Sequence, residues 1–218
     1  RDHGVEFRAQ ALEEVVDRAA AGCAADQAAI TYNSWVFDHF KQPLFYPLPI
    51  VTATTSRDLC VQIECERDEQ SIGVLLPQQP GEGRWRDYKD AFWVAARAKL
   101  PVHWHAFTRP TPESFTEDPL ALHWKAIRPA QDILLELILG GVLSEVPTLK
   151  VVFAEFDVGW VPHFAVRLKG FVDRYGRALG LKLSVGEIHD ILQRQVYFTS
   201  QHTLEIQYLA QGVNGLWG

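Results

Sequence analysis

Two histidines on one predicted strand are the residues of this sequence best suited to chemistry. The segment 100–106 reads Leu-Pro-Val-His-Trp-His-Ala, which is typical of a buried strand. Because successive side chains of a strand point to opposite faces, His103 and His105 share one face and Trp104 takes the other. Neutral imidazole is the commonest protein ligand of a metal ion, so this face predicts a metal site. The spacing alone leaves an alternative open, in which one histidine is buried and hydrogen-bonded and the other is exposed.

The composition is that of an ordinary globular chain. Of its 218 residues, 47% are hydrophobic and 22% are charged, which is enough for a sizeable core. The net charge of -6 argues against nucleic acid and against an anionic membrane surface as the main partner. No apolar run reaches the roughly 18 residues of a membrane-spanning helix. The three cysteines, Cys23, Cys60 and Cys65, lack metal-binding spacing, and their odd number predicts reduced thiols in a cytoplasmic protein.

The sequence also contains no methionine, and it begins at Arg1. Because its predicted helices are otherwise rich in ordinary apolar residues, we expect that modified methionines or whole segments are missing from it. Some neighbours in the numbering would then not be bonded neighbours. An intact mass equal to that of the printed sequence would contradict this expectation.

Alternating helices and strands must position the histidine strand. Helices are predicted at 11–21, 31–37, 57–68, 87–99, 129–143, 161–175, 186–194 and 204–211. Strands are predicted at 44–51, 71–77, 100–106, 149–155 and 195–200, and one more begins at 213–217. Strands separated by helices of this length imply parallel pairing through right-handed crossovers. A (β/α)8 TIM barrel needs about 250 residues. The pattern therefore predicts one α/β domain over 1–218, a barrel that is incomplete at both ends.

Short motifs follow one another between Tyr32 and Gly218. They are Tyr32-Asn33 with Trp35, Gly73-Val74-Leu75-Leu76-Pro77, Leu100-Pro101-Val102 with His105, Gly140-Gly141-Val142-Leu143, Pro147 with Leu149-Lys150-Val151-Val152, Glu155 with Gly159-Trp160, Pro162 and Arg167, Val196-Tyr197-Phe198, Gly212-Val213-Asn214 and Leu216-Trp217-Gly218. This succession resembles the amidohydrolase-related family, which includes aminocarboxymuconate-semialdehyde decarboxylase and resorcylate decarboxylase. The resemblance implies a metal-dependent (β/α)8 barrel. It also implies a hydrolase, or alternatively a non-oxidative decarboxylase, that acts on a small aromatic or carboxylated substrate.

The resemblance assigns one metal ligand. In the family, a His-x-His or Glu-x-His pair on the first strand, a histidine ending the fifth strand and an aspartate ending the eighth hold the ion. By that pattern His105 is the fifth-strand ligand of one divalent ion, zinc in the first place and manganese as the alternative. The first-strand pair has no counterpart here, since His3 lies in a polar segment. The eighth-strand aspartate would follow Gly218.

Glu155 stands where the decarboxylases named above place a histidine near the metal, and with Trp160 it resembles a glutamate-and-tryptophan branch of the family. A carboxylate at the carboxyl end of a barrel strand can act as a general base, bind the metal or orient the substrate. We therefore predict that Glu155 is catalytic. The alternative is a structural acceptor for backbone N–H groups or for an arginine. Asp157 is predicted to be the N-cap of the following helix.

Three residues are predicted to bind the substrate: His103 beside His105, His123 near the loop face of the barrel, and Arg109 as a clamp for a carboxylate. The alternatives are a core position for His103 and a solvated loop position for Arg109. The expected partners are the small-molecule substrate and, by family analogy, a second copy of the chain in a homodimer. A barrel that has lost its ligands and serves as a binding or assembly protein is the competing class of function.

Overall fold

The computed structural model describes residues 24–40, 45–52, 54–66, 71–106, 121 and 124–200. The helices are α1 (Ala24–His39), α2 (Ser56–Cys65), α3 (Lys89–Ala98), α4 (Arg128–Leu139), α5 (Val142–Glu145), α6 (Val161–Tyr175) and α7 (Val185–Arg194), and a 3-10 helix spans Trp85–Tyr88. The strands are β1 (Val74–Leu76), β2 (Val102–His105), β3 (Val151–Ala154) and β4 (Val196–Phe198).

The strands of the described residues form one four-stranded parallel sheet in the order β1-β2-β3-β4. The segment 49–51 extends this sheet beyond β1, because the N–H of Val51 donates to the carbonyl of Leu75 at 3.0 Å and the N–H of Leu75 donates to the carbonyl of Pro49 at 2.8 Å. Sequential parallel order with helices between the strands confirms the predicted α/β class. Four strands do not close a barrel, so the eight-stranded barrel stays a prediction.

The strand register separates the side chains into a helix-covered face and an open face. On the covered face the rings of Trp104 and Phe153 stack with their centroids 5.5 Å apart, and Phe92 of α3 lies 6.3 Å from Trp104. Trp104 and Phe153 are fully buried. The open face carries His103 and His105, both of which are half-buried. The predicted alternation of the histidine strand is therefore confirmed.

The predicted helix at 129–143 is in fact two helices, α4 and α5, separated by Gly140-Gly141. Gly141 has a φ of 76°, in the left-handed region that favours glycine. A Cβ at Gly140 would lie 2.5 Å from the Cβ of Arg86, so the chain passes too close to the 3-10 helix for a side chain there. The break is thus set by a tertiary contact as well as by glycine itself.

The helices α6 and α7 begin in different ways. Ser184 and Glu187 form a capping box at the start of α7, in which the N–H of Glu187 donates to the Ser184 hydroxyl at 3.2 Å. The predicted N-cap role of Asp157 is wrong, because α6 begins at Val161 and its N-cap residue is Trp160. A proline follows within the first turn of α6, which suits a helix start without a side-chain cap.

Some predictions fall outside the described residues, namely the helices at 11–21 and 204–211 and the strand at 213–217. Within the described ranges, no helix has both the length and the apolar character to cross a membrane. Cys60 and Cys65 are half-buried thiols, and burial raises the pKa of the Cys60 thiol. Cys60 packs against the hydrophobic core, as expected of a small apolar side chain.

Candidate functional site

His105 and Glu155 meet at the carboxyl edge of the sheet. His105 is the last residue of β2, and Glu155 directly follows β3, whose Ala154 is the register partner of His105. The Nε2 atom of His105 lies 3.2 Å from Oε2 of Glu155. The two side chains are 33% and 44% exposed, so solvent reaches the pair. The structure therefore joins the predicted metal ligand and the predicted catalytic carboxylate in one polar contact.

The backbone of Glu155 is held in an uncommon conformation. Its φ is 62°, and Asp157 has a φ of 58°; both values lie in the left-handed region that non-glycine residues rarely adopt. The N–H of Glu155 donates to the hydroxyl of Thr199 at 2.9 Å, and the N–H of Thr199 donates to the carbonyl of Phe153 at 3.0 Å. Strained residues of this kind persist only where neighbours fix them, and they cluster at functional sites. The turn after β3 thus presents the Glu155 carboxylate in a defined place.

Gln78 fixes the end of β2 from the neighbouring strand. It is buried two residues after the end of β1, and its Nε2 donates to the carbonyls of His105 at 2.9 Å and of Ala106 at 2.6 Å. The backbone carbonyl of Gln78 accepts a hydrogen bond from Nε1 of Trp85 at 3.2 Å. The sequence analysis missed this residue. The available signal was its position, because it is the first polar residue after the apolar run 71–77 and so lies at the same edge as His105.

Replacing Gln78 by leucine should lower the free energy of unfolding by about 1–3 kcal/mol, because the buried carbonyl of Ala106 and the partly buried carbonyl of His105 lose their donor. Urea denaturation of the purified protein measures the change. Gln79→Leu is the matched control, since Gln79 is the adjacent residue and is exposed. An equal loss in both variants would show that the hydrogen bonds of Gln78 do not hold the end of β2.

His103 points away from this edge. A Cβ added at Gly73 would lie 2.6 Å from Nε2 of His103, so the ring packs over the glycine that precedes β1, at the amino end of the strand. Its Nε2 is buried and has no hydrogen-bond partner among the described residues. Burial lowers the pKa of His103 to about 4, so the ring is neutral at neutral pH. Substrate binding by His103 stays a prediction that this position does not favour.

The other two predicted substrate ligands, Arg109 and His123, lie outside the described residues and stay predictions. Trp124, next to His123, is 85% exposed. Arg128, at the start of α4, lines a cavity together with Gln78 and Trp85.

The His105–Glu155 pair fits a divalent metal ion in the kind of its donors. Imidazole nitrogen and carboxylate oxygen are both zinc ligands, and two donors on one tetrahedral zinc ion lie about 3.4 Å apart. The observed 3.2 Å is close to that separation and is also an ordinary hydrogen-bond distance. In the part of the chain that the structure describes, no group of three histidine, cysteine or acidic residues could hold a metal ion. Further ligands would therefore have to come from elsewhere than the described residues.

Comparison with known proteins shows a shared fold. No model of a protein family matches the chain, and no curated protein is significantly similar to it in sequence. An amidohydrolase from Mycobacterium avium subsp. paratuberculosis K-10 matches with a TM-score of 0.66 and 19% identity, over 84% of this chain and 50% of that chain. The apo form of IDCase from Metarhizium anisopliae matches with a TM-score of 0.61 and 18% identity, over 79% of this chain and 49% of that chain. The chain spans about half the length of each structure.

Proposed function

We propose that the chain is part of a metal-dependent hydrolase of the amidohydrolase-related superfamily, which acts on a small aromatic or carboxylated substrate. The observation that carries the proposal is the contact of His105 with Glu155 at the carboxyl edge of a parallel sheet. Barrel enzymes build their active sites at this edge. The motif resemblance between Tyr32 and Gly218 supports the superfamily, as does the fold shared with an amidohydrolase.

His105 and Glu155 have different roles, which follow from their chemistry. His105 would hold one divalent ion, zinc or alternatively manganese, beside Glu155. When bound, such an ion polarises a substrate oxygen or brings the pKa of water towards neutrality. The Glu155 carboxylate accepts the proton of the attacking water, which is the role of a general base. Gln78 keeps the end of β2 in place and Thr199 keeps the turn of Glu155 in place, so both groups face the substrate without rearrangement.

A decarboxylase is the second candidate. The motif resemblance includes decarboxylases of the family, and the fold is shared with IDCase at a similar level to the amidohydrolase. In that reaction the same edge would orient a carboxylated ring while carbon dioxide leaves. Release of carbon dioxide from a panel of hydroxybenzoates, without hydrolysis of matching amides or esters, would favour the decarboxylase. The opposite result would favour the hydrolase.

Metal analysis of the purified protein tests the common part of both proposals. We expect zinc or manganese in stoichiometric amount and its loss in His105→Ala, because this substitution removes the imidazole donor. His39→Ala is the matched control, since His39 is an exposed histidine at the end of α1. Protein that neither contains a metal nor takes one up would contradict the proposal of a metal-dependent enzyme and would favour the non-catalytic barrel.

The homodimer and the cytoplasmic location stay predictions. Size-exclusion chromatography of the purified protein tests the homodimer.

A further inference from the structure

The helix α1 exposes aromatic side chains along one line of its surface. Tyr32 and Trp35 are 46% and 49% exposed, and their ring centroids lie 6.4 Å apart. The exposed ring of His39 continues the line, with its centroid 5.1 Å from that of Trp35. Its Nδ1 atom donates to the carbonyl of Trp35 at 2.8 Å, which holds the ring in place. Contiguous apolar surface of this kind marks an interaction site, whereas single exposed rings need no explanation.

A different face of α1 joins the helix to the rest of the domain. Asn33 and Val36 are its buried residues. The side chain of Asn33 donates to the carbonyl of Ile50 and accepts from the N–H of Ile50, both at 2.9 Å. A helix that packs on one face against the domain is normally polar on the face that meets solvent. The exposed rings of α1 are therefore not needed to attach the helix.

An open groove of about 670 Å³ lies beside these rings. It is lined by Gln27, Ala28, Thr31, Tyr32 and Trp35. The last four are spaced i, i+3, i+4 and i+7, so they are neighbours on one helix surface around the small side chain of Ala28. In helix pairs a large side chain of one helix inserts into a hole formed by four such residues of the other. The groove therefore has the form that receives a side chain from a second helix.

Further rings extend this surface past the end of α1. The ring centroid of Phe40 lies 5.5 Å from that of Trp35 and 5.1 Å from that of the half-exposed Phe45. We call Tyr32, Trp35, His39, Phe40 and Phe45 the aromatic patch. Complete burial of one aromatic side chain covers about 150–250 Å², so three half-exposed rings offer roughly 200–400 Å². Two such patches in contact would bury roughly a quarter to a half of the about 1,600 Å² of a standard interface. The patch thus has the size of an aromatic interface centre, which a polar rim completes.

The charge of the chain favours a second copy as the partner. The formal net charge is -6, so two copies repel each other except where their surfaces are neutral. The aromatic patch and the groove contain no acidic, lysine or arginine side chain, and the exposed Asp38 of α1 does not line the groove. A strongly charged partner would find no opposite charge there to complement its own.

We propose that the aromatic patch is the contact surface between two copies of this chain. The two α1 helices pack against each other, and the ring of Trp35 of each copy enters the groove of the other. A surface that has both protruding rings and a groove for them can pair with itself, as the two-fold symmetry of a homodimer requires. This interface is independent of the proposed metal chemistry, because it uses neither residue of the His105–Glu155 pair.

Sedimentation equilibrium of the full chain tests the proposal. We expect a monomer–dimer equilibrium, with a dissociation constant raised about thirtyfold or more in Trp35→Arg, because a central interface tryptophan is typically a hot spot. Trp93→Arg is the matched control, since Trp93 is an exposed tryptophan of α3 outside the patch, and its constant should stay within about threefold. An equal change in both variants would overturn the proposal. Unaltered protein that is monomeric up to about 100 μM would also overturn it, and would leave the patch to another segment of the chain or to a different protein.

A second pair of variants separates the groove from the rest of the helix. Ala28 and Ser34 are both exposed on α1, but only Ala28 lines the groove. Ala28→Glu should raise the dissociation constant about tenfold or more, because it places a carboxylate where the partner's ring enters, and Ser34→Glu should change it by less than about threefold. If Trp35→Arg does not fold, this pair decides the outcome, with circular dichroism to show that both variants are folded. A dissociation constant that is unchanged in both Trp35→Arg and Ala28→Glu would place the interface elsewhere, and the proposal would then be wrong.

Discussion

Replacing Trp104 by alanine should lower the free energy of unfolding by about 3–5 kcal/mol, which is the usual loss for a fully buried tryptophan. Trp104 has 0% exposure in the middle of the covered face of the sheet. Its ring stacks on Phe153, with the centroids 5.5 Å apart, and meets Trp85 edge-on at 5.4 Å. Truncation removes these aromatic contacts and leaves a cavity that strand and helix backbones cannot fill. Domains are stable by only about 5–15 kcal/mol, so a substantial part of the margin would be lost.

Urea denaturation measures this loss, and two further variants show its cause. Trp124→Ala removes a tryptophan that is 85% exposed, and it should change the free energy of unfolding by less than about 0.5 kcal/mol. Trp104→Phe keeps most of the ring and removes Nε1, a buried donor without a partner among the described residues, so it should cost much less than alanine. Equal losses in Trp104→Ala and Trp124→Ala would contradict the central place of Trp104 in the core.

The sequence was most informative where one physical signal dominated. The strand at 100–106 has two-residue alternation, and its apolar members are the buried ones. The helix predicted at 161–175 has the bounds of α6, because its apolar spacing continues over four turns and it begins next to a proline. Parallel pairing followed from helices between strands. These features depend on local pattern, which a sequence displays directly.

Features that depend on contacts between distant segments could not be predicted in the same way. The ring of His103 has room only because Gly73, 30 residues earlier in the numbering, is a glycine and has no side chain. The burial of Gln78 depends on two carbonyls at the end of β2. Asp157 looks like a helix cap in sequence, but its left-handed φ places it in the turn before α6. In each case a tertiary neighbour decides which of several local options is used.

The candidate site was predictable in part. The topology of a parallel sheet brings all strand ends to one edge, which is why His105 and Glu155 could be expected near each other. Their direct contact of 3.2 Å depends on the unusual backbone of Glu155, which has no signature in the sequence.

His103 should make the protein less stable as the pH falls from about 6.5 to about 4. Burial lowers the pKa of the folded-state imidazole from 6.5 to about 4. Above pH 6.5 the ring is neutral in both states and contributes no pH dependence. Between these values the unfolded chain binds a proton that the folded chain does not, so the free energy of unfolding falls with falling pH. The loss should reach about 2–3 kcal/mol near pH 4, allowing for a ring that is only partly removed from solvent.

The measurement is urea denaturation at several pH values between 7 and 4, for the unaltered protein and for His103→Leu. Carboxylates contribute to acid unfolding in both proteins, so the difference between the two curves isolates the histidine. At pH 7 leucine should be tolerated, because the Nε2 atom that it replaces has no partner among the described residues. At pH 4 His103→Leu should be the more stable protein by about 2–3 kcal/mol. His163→Leu changes an exposed histidine of α6 and should retain the pH dependence of the unaltered protein. Parallel curves for His103→Leu and the unaltered protein would mean that His103 binds a proton equally in the folded and unfolded states, and a lowered pKa of His103 would then be wrong.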